Sequence, residues 1–242
     1  MRIPVNALLA CCLAGLALSA CSHTPSSSGY GGQITGSGIL AEQERTIAEA
    51  RALVLEGPVD VVLTQGATAL VVKGDDNLVD FVTAESADGV LTISVEASYS
   101  SRQDLVAHVT LPSLERIGNV SSGDITINGW AADSLSAESS SSGDILFEGA
   151  LGTLRAVASG SGDVDFSSAA VGNLEATASG SGDLAIGPVG NLDARLSGSG
   201  DIIAAQVGNL VARSSGSGDI LYLSAKNVDI VSHTGSGEIR ER

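Results

Sequence analysis

Two short apolar runs, each alternating inward and outward at every second residue, recur together along the C-terminal half of the chain. The first run begins at Ile125, Ile145, Val164, Leu184, Ile202, Ile220 and Ile239, each directly after an acidic residue. Two positions later come Ile127, Phe147, Phe166, Ile186, Ala204 and Tyr222. The second run begins at Leu135, Leu154, Leu174, Leu192, Leu210 and Val228, followed two residues on by Ala137, Ala156, Ala176, Ala194, Ala212 and Ile230. A period of two marks a strand with one buried face. Small residues in the second run predict a thin interior, because bulky side chains from both walls would overfill it.

The acidic residues themselves set the period. Asp124, Asp144, Asp163, Asp183, Asp201 and Asp219 follow Ser-Gly-Asp or Ser-Gly-Ser-Gly-Asp phrases, with Glu238 in the seventh place, at intervals of 20, 19, 20, 18, 18 and 19 residues. A near-constant period of this length predicts a solenoid whose coils bury their apolar faces only against one another. The fold expected is all-β: a parallel β-helix of roughly 18–20 residues per coil. A helical solenoid is disfavoured by glycine pairs in every coil and by β-branched residues at period two. From each second-run residue to the next acidic residue the count is 9 five times and 10 once, whereas the opposite part of the coil varies. The Ser-Gly corner is therefore constant in length, and its glycines are expected at positive φ. The variable corner, around 149–152, 169–172 and 187–190, is expected to face outward with Glu175, Asp193, Arg195 and Arg213 as surface for partner contact.

Before the regular coils the phrase is absent but strand-like runs persist at Ala52–Leu55, Val59–Leu63, Ala69–Val72, Val90–Val95 and Leu105–Val109, separated by turn signals such as Gly57-Pro58 and Asp88-Gly89. Ala41–Arg51 has the composition of a short helix. The organisation expected is 1–20 a signal peptide, 21–38 a flexible lipid-anchored tether, and 39–242 one β-helix domain, with 39–117 as irregular coils or a cap and 118–242 as the regular coils. The signal reading rests on basic Arg2, the apolar stretch Val5–Leu18 and the small residues closing it. Leu18-Ser19-Ala20-Cys21 resembles the lipobox of bacterial lipoproteins, which implies acylation of Cys21 and, with Ser22 next, sorting to the outer membrane. With Cys11 and Cys12 in the signal and Cys21 acylated, no disulfide is expected in the mature chain.

Gly57–Gly66, Gly74–Leu78, Asp88–Ile93, Val109–Leu114 and the Ser-Gly-Asp coils, in that order, resemble the "putative auto-transporter adhesin, head GIN domain" family of bacterial envelope proteins. The resemblance spans about Gly36 to Ile239. It implies a parallel β-helix and an adhesive role, and it brings no catalytic residues to carry over.

Charge narrows the partners. The chain carries 12 basic and 28 acidic residues, a net −16, and loss of Arg2 with the signal makes it −17. With 3% aromatics it has neither the basic footprint nor the stacking platform of a nucleic-acid binder. Stacking brings the Asp column to roughly 4.8 Å spacing. Each carboxylate is expected to accept hydrogen bonds from its own Ser-Gly corner, and the competing reading is a calcium ladder. His108 and His233 lie far apart in sequence, and no catalytic, metal or cofactor residues are assigned. The function expected is a non-catalytic, lipid-anchored cell-envelope protein used for adhesion, binding or scaffolding, held at the membrane through Cys21, with an unknown protein or glycan partner. The charged end Glu238–Arg242 favours a monomer. The alternatives are a carbohydrate-active enzyme on the same fold and a calcium-dependent binding module.

Overall fold

The computed structural model describes residues 32–242; the expected signal, the lipidation site Cys21 and most of the tether lie outside the described residues. The described residues form stacked parallel coils of about 19 residues, a β-solenoid of about 7 turns. Their only helical element is a 3-10 turn at Val79–Phe81.

The opening strands are β1 (Ile34–Thr35), β2 (Leu40–Arg45), β3 (Ala52–Leu55), β4 (Asp60–Gln65), β5 (Ala69–Asp75), β6 (Val82–Ala87), β7 (Val90–Val95), β8 (Tyr99–Ser100), β9 (Val106–Leu111) and β10 (Arg116–Asn119). They do not stack in chain order. On one side the spatial order is β2, β5, β9, β4, and on another it is β6, β7, β3, β10. The coil made by β3 and β4 is thus held between the later coil β7–β9 and the still later strand β10. Strands β2, β5 and β6 run antiparallel and close this end. The hairpin β6–β7 turns on Asp88 and Gly89, at φ 50° and 78°, the left-handed pair that a two-residue hairpin requires.

The helix expected over Ala41–Arg51 is not formed. Leu40–Arg45 is instead a strand on β5, with the Glu42 carboxylate 2.9 Å from Lys73 Nζ. Helix propensity is worth tenths of a kcal/mol per residue, less than the ladder of backbone bonds offered by the open edge of β5.

The regular coils are β11 (Ile125–Ser139), β12 (Ile145–Ala158), β13 (Val164–Ala178), β14 (Leu184–Ile186) with β15 (Val189–Leu196), β16 (Ile202–Ser214), β17 (Ile220–His233) and β18 (Ile239–Glu241). Val61, Ile125, Ile145, Val164, Leu184, Ile202 and Ile220 stand in one register and are all buried. Leu135 to Leu210 and Ala137 to Ala212 form the second pair of inward columns. Trp130, Phe147 and Phe166 supply the bulk, the two Phe rings being tilted at 5.2 Å.

The variable corner is a correction. Apart from Gly187 and Pro188 its residues are strand, and Ala132, Leu151, Val171, Val189, Val207 and Ala225 form one further register column, buried from Leu151 to Val207. Most coils place a single inward side chain here between two short outward stretches, and only Trp130 and Ala169 add a second, so the run carries no consistent period-two signature and was illegible as a strand.

Candidate interaction surfaces

The acidic column is built by backbone geometry. In a parallel ladder successive N–H groups point alternately up and down the stack. The N–H of Ile145 points to the next coil and reaches Asp163 O at 2.9 Å. That of Asp144 points to the preceding coil, where the Asp124 carboxylate accepts it at 2.8 Å. The same bond links Asp163 to Asp144, Asp183 to Asp163, Asp201 to Asp183, Asp219 to Asp201 and Glu238 to Asp219, all at 2.7–2.8 Å. Each carboxylate therefore serves the next coil, not its own Ser-Gly corner as the local-turn reading expects. Two unit charges 4.8 Å apart repel by about 0.9 kcal/mol in water. A hydrogen bond to a charged group contributes about 1.5–3 kcal/mol, so the column is sustained. Asp60 is its first member, accepting from Asp124 N–H at 3.0 Å; the pattern Pro58-Val59-Asp60-Val61, acidic before aliphatic, carried that signal without the glycine phrase.

The Ser-Gly corner also differs from expectation. None of its glycines has positive φ. They are glycine because the coils touch there: a Cβ on Gly162, Gly182, Gly200 or Gly218 would lie 2.1–2.2 Å from the carbonyl oxygen of the glycine one coil below. Beneath the first corners sit buried polar side chains. Asn119 donates to Gly123 O at 2.8 Å and accepts from Ser121 N–H at 3.1 Å, and Ser139 Oγ donates to Gly143 O at 3.3 Å. Along the outside, four coils of Ser and Gly from Ser179 to Ser236 line a shallow open groove of about 730 Å³.

Glu175, Asp193, Arg195 and Arg213 are brought together on one face. Arg195 bridges Glu175 at 2.5 Å and Asp193 at 2.8 Å, and Arg213 bridges Asp193 at 2.6 Å. Glu138 likewise holds Arg116 and Arg155. Beside them runs a feature that sequence reasoning missed, an asparagine ladder. Asn191 Nδ2 donates to Asn173 Oδ1 at 2.8 Å, Asn209 to Asn191 at 2.6 Å, and Asn227 to Asn209 at 2.7 Å. Its signal was present: Asn precedes the second-run aliphatic in four consecutive coils.

His108 lies on β9 near the closed end, its pKa lowered by burial and then by Lys73, with Glu42 opposing. His233 is in the last coil, 2.6 Å from Gly237 O. Tyr99 donates to Pro58 O, and burial, followed by the charges of Asp60 and Asp104, raises its pKa. Among the described residues no group of three or more His, Cys, Asp or Glu is arranged to hold a metal ion. At the closed end Asp75, almost wholly buried, accepts from Gly38 N–H at 3.0 Å and Ser101 Oγ at 2.5 Å. At the other end β18 covers only Ile220–Tyr222, so the second-run residues Val228 and Ile230 are 40% and 49% exposed.

Residues 51–225 match a known family, described as "Putative auto-transporter adhesin, head GIN domain". The chain belongs to this family. Its fold is shared by solved structures of low sequence identity. A "putative adhesin" from Bacteroides fragilis superposes with a TM-score of 0.77 at 24% identity, covering 86% of this chain and 100% of that one. A "putative adhesin" from Parabacteroides merdae gives 0.65 at 18% identity, covering 87% and 99%. A "putative lipid binding protein" from Parabacteroides distasonis gives 0.65 at 21% identity, covering 86% and 100%. Among proteins with curated functions, none matches the chain.

Proposed function

We propose that this head GIN domain protein is a non-catalytic, lipid-anchored component of the bacterial cell envelope whose β-helix is a rigid adhesive surface. One observation carries the reading. The outward polar columns are tied from coil to coil, the carboxylates through backbone N–H groups, the asparagines through each other and the arginines through carboxylates. Such a surface loses little side-chain entropy on meeting a partner, and that loss is a main cost of association. Family membership and the adhesin names of the structural relatives support the same role.

Anchoring is assigned to an acylated Cys21, since lipid is attractive to a membrane in proportion to its buried methylenes, about 0.8 kcal/mol each. The test expresses the full chain and its Cys21→Ser variant in a Gram-negative host. Mass spectrometry should find the acylated N-terminal peptide in the outer-membrane fraction, and the variant should be released as a soluble periplasmic protein. Purified protein coated on a surface should retain cells or envelope material above a control protein of equal charge. An unmodified Cys21 overturns the anchor. Retention no better than the control, or new reducing ends released from envelope glycans, overturns the adhesive reading.

A further inference from the structure

Thr153, followed by Asn173, Asn191 and Asn209 of the asparagine ladder, forms one wall of a groove of about 380 Å³ that crosses four successive coils along the solenoid axis. Arg155, Glu175, Asp193 and Val211 stand on the other wall, and strand backbone with Leu154, Leu174 and Leu192 lies between. Three properties of this groove restrict its occupant.

The first is hydrogen bonding. Asn191 and Asn209 each spend one N–H and one lone pair on their neighbours, and Asn173, at the end of the ladder, spends one lone pair on Asn191; an amide has two N–H groups and two lone pairs. Asn173, Asn191 and Asn209 are exposed, so each offers at least one further donor and one further acceptor, held in a single orientation. The second is charge. Arg195 and Arg213 engage Glu175 and Asp193 at 2.5–2.8 Å, and Arg155 engages Glu138 at 2.8 Å. The groove is therefore lined by neutral amides and paired charges on a chain of net −16, which leaves an anionic ligand without a free cation and opposes its approach.

The third is period. The amides of Asn173, Asn191 and Asn209 repeat at the strand spacing, roughly 4.8 Å. A polymer lying along the axis stays in register only if its own repeat is similar. An extended peptide repeats its side chains on one face every ~6.7 Å, and a polyproline II chain rises ~3.1 Å per residue, so both drift off the amides within a few coils. A sugar ring linked through opposite positions advances by about one ring per unit, close to one coil; successive rings turn over, yet each presents to the ladder hydroxyls that donate and accept.

We propose that this groove binds a linear neutral polysaccharide along the solenoid axis, one sugar per coil, through the free donors and acceptors of Asn173, Asn191 and Asn209. The inference rests on the adhesive reading above and gives it a ligand class. No aromatic residue lines the groove, so affinity comes from hydrogen bonds repeated over several sugars.

The test is calorimetric titration of the mature chain with β-1,4-linked glucan and mannan oligosaccharides of increasing length, and with oligogalacturonate as the anionic counterpart. At least one neutral series should bind, with affinity rising to about four units, the number of coils in the groove, and then levelling. Asn191→Ala/Asn209→Ala should weaken binding by about tenfold or more. Val211→Arg, which leaves the ladder intact and lays a long side chain across the groove, should weaken it as well. Thermal melts check that the variants fold. No heat with either neutral series, affinity independent of length, tighter binding of oligogalacturonate, or unchanged binding by folded variants overturns the proposal. Chromatography of the recovered oligosaccharide separates the two readings: shortened sugar sinks the non-catalytic role while the groove stands, and intact unbound sugar sinks the groove alone.

Discussion

The two halves of the solenoid bury the same kind of residue by opposite routes. From β11 onward, order in space is order in the chain, and each coil rests on the one made about nineteen residues earlier. In the opening half the β3–β4 coil is enclosed by strands that come later, β7 and β9 below and β10 and β11 above. The regular half is periodic, since every coil meets an identical neighbour. The opening half breaks the period because its outermost strands have no coil beneath them and are closed by antiparallel partners bearing Glu42, Glu44 and Glu85. An end must differ from a middle, and edge strands that carry charge resist pairing with other chains.

Large perturbations should separate these halves most clearly. Phe166→Ala removes a fully buried ring stacked on Phe147 and should cost about 3–5 kcal/mol in chemical unfolding. Hydrogen exchange of the same variant should rise in the neighbouring coils while β9 stays protected; equal loss of protection at β9 would show that the halves unfold as one unit.

Glycine sharpens the contrast. Gly200→Ala in the corner puts a methyl 2.1 Å from Gly182 O, whereas Gly118→Ala in β10 meets nothing nearer than 3.6 Å. The first should destabilise by about 1–3 kcal/mol, and the second should stabilise by a few tenths up to about 1 kcal/mol. Equal melting temperatures for the two variants would remove the claim that corner glycines answer to coil contact.

The carboxylate column is a smaller effect. Asp183→Ala leaves Asp201 N–H without its acceptor and should cost about 1 kcal/mol. Asp183→Asn keeps an acceptor and relieves repulsion from both neighbours, so it should be nearly neutral. If Asn is as costly as Ala, the charge itself is the requirement and the ladder account is wrong.

The smallest effects are in pH dependence. His108 has a lowered pKa in the fold, so the unfolded chain binds protons first. The stability it contributes is complete above about 6.5 and declines as pH falls toward the folded value. Tyr99 has a raised pKa, so the unfolded chain ionises first and stability declines as pH rises above about 10. Melting curves of His108→Gln and Tyr99→Phe should each lose that arm of the pH profile; profiles parallel to the parent's would exclude the assignment.

Much of the fold was legible in residue order. The Ile125–Ile220 column, the Leu and Ala columns and the strand runs of the opening half were all readable because alternation records which side of a strand meets water. Ala41–Arg51 misled, since Ala and Glu favour a helix only when no strand edge competes for their backbone. The column Ala132–Ala225 was hidden because most coils place only one inward residue there. Asp60 and the asparagine ladder lacked only the right question, as each stands directly before an aliphatic column residue.

Sequence alone determined the period, the two alternating inward runs of the regular coils and the corner where Gly recurs, because these are properties of each coil by itself. Tertiary structure decided what the repeated polar residues do. Whether a carboxylate serves its own turn or the next coil, and whether a glycine is needed for its φ or for its missing Cβ, depends on the coil stacked roughly 4.8 Å away. That neighbour is about nineteen residues distant in the chain, and in the opening half it is not the preceding segment at all.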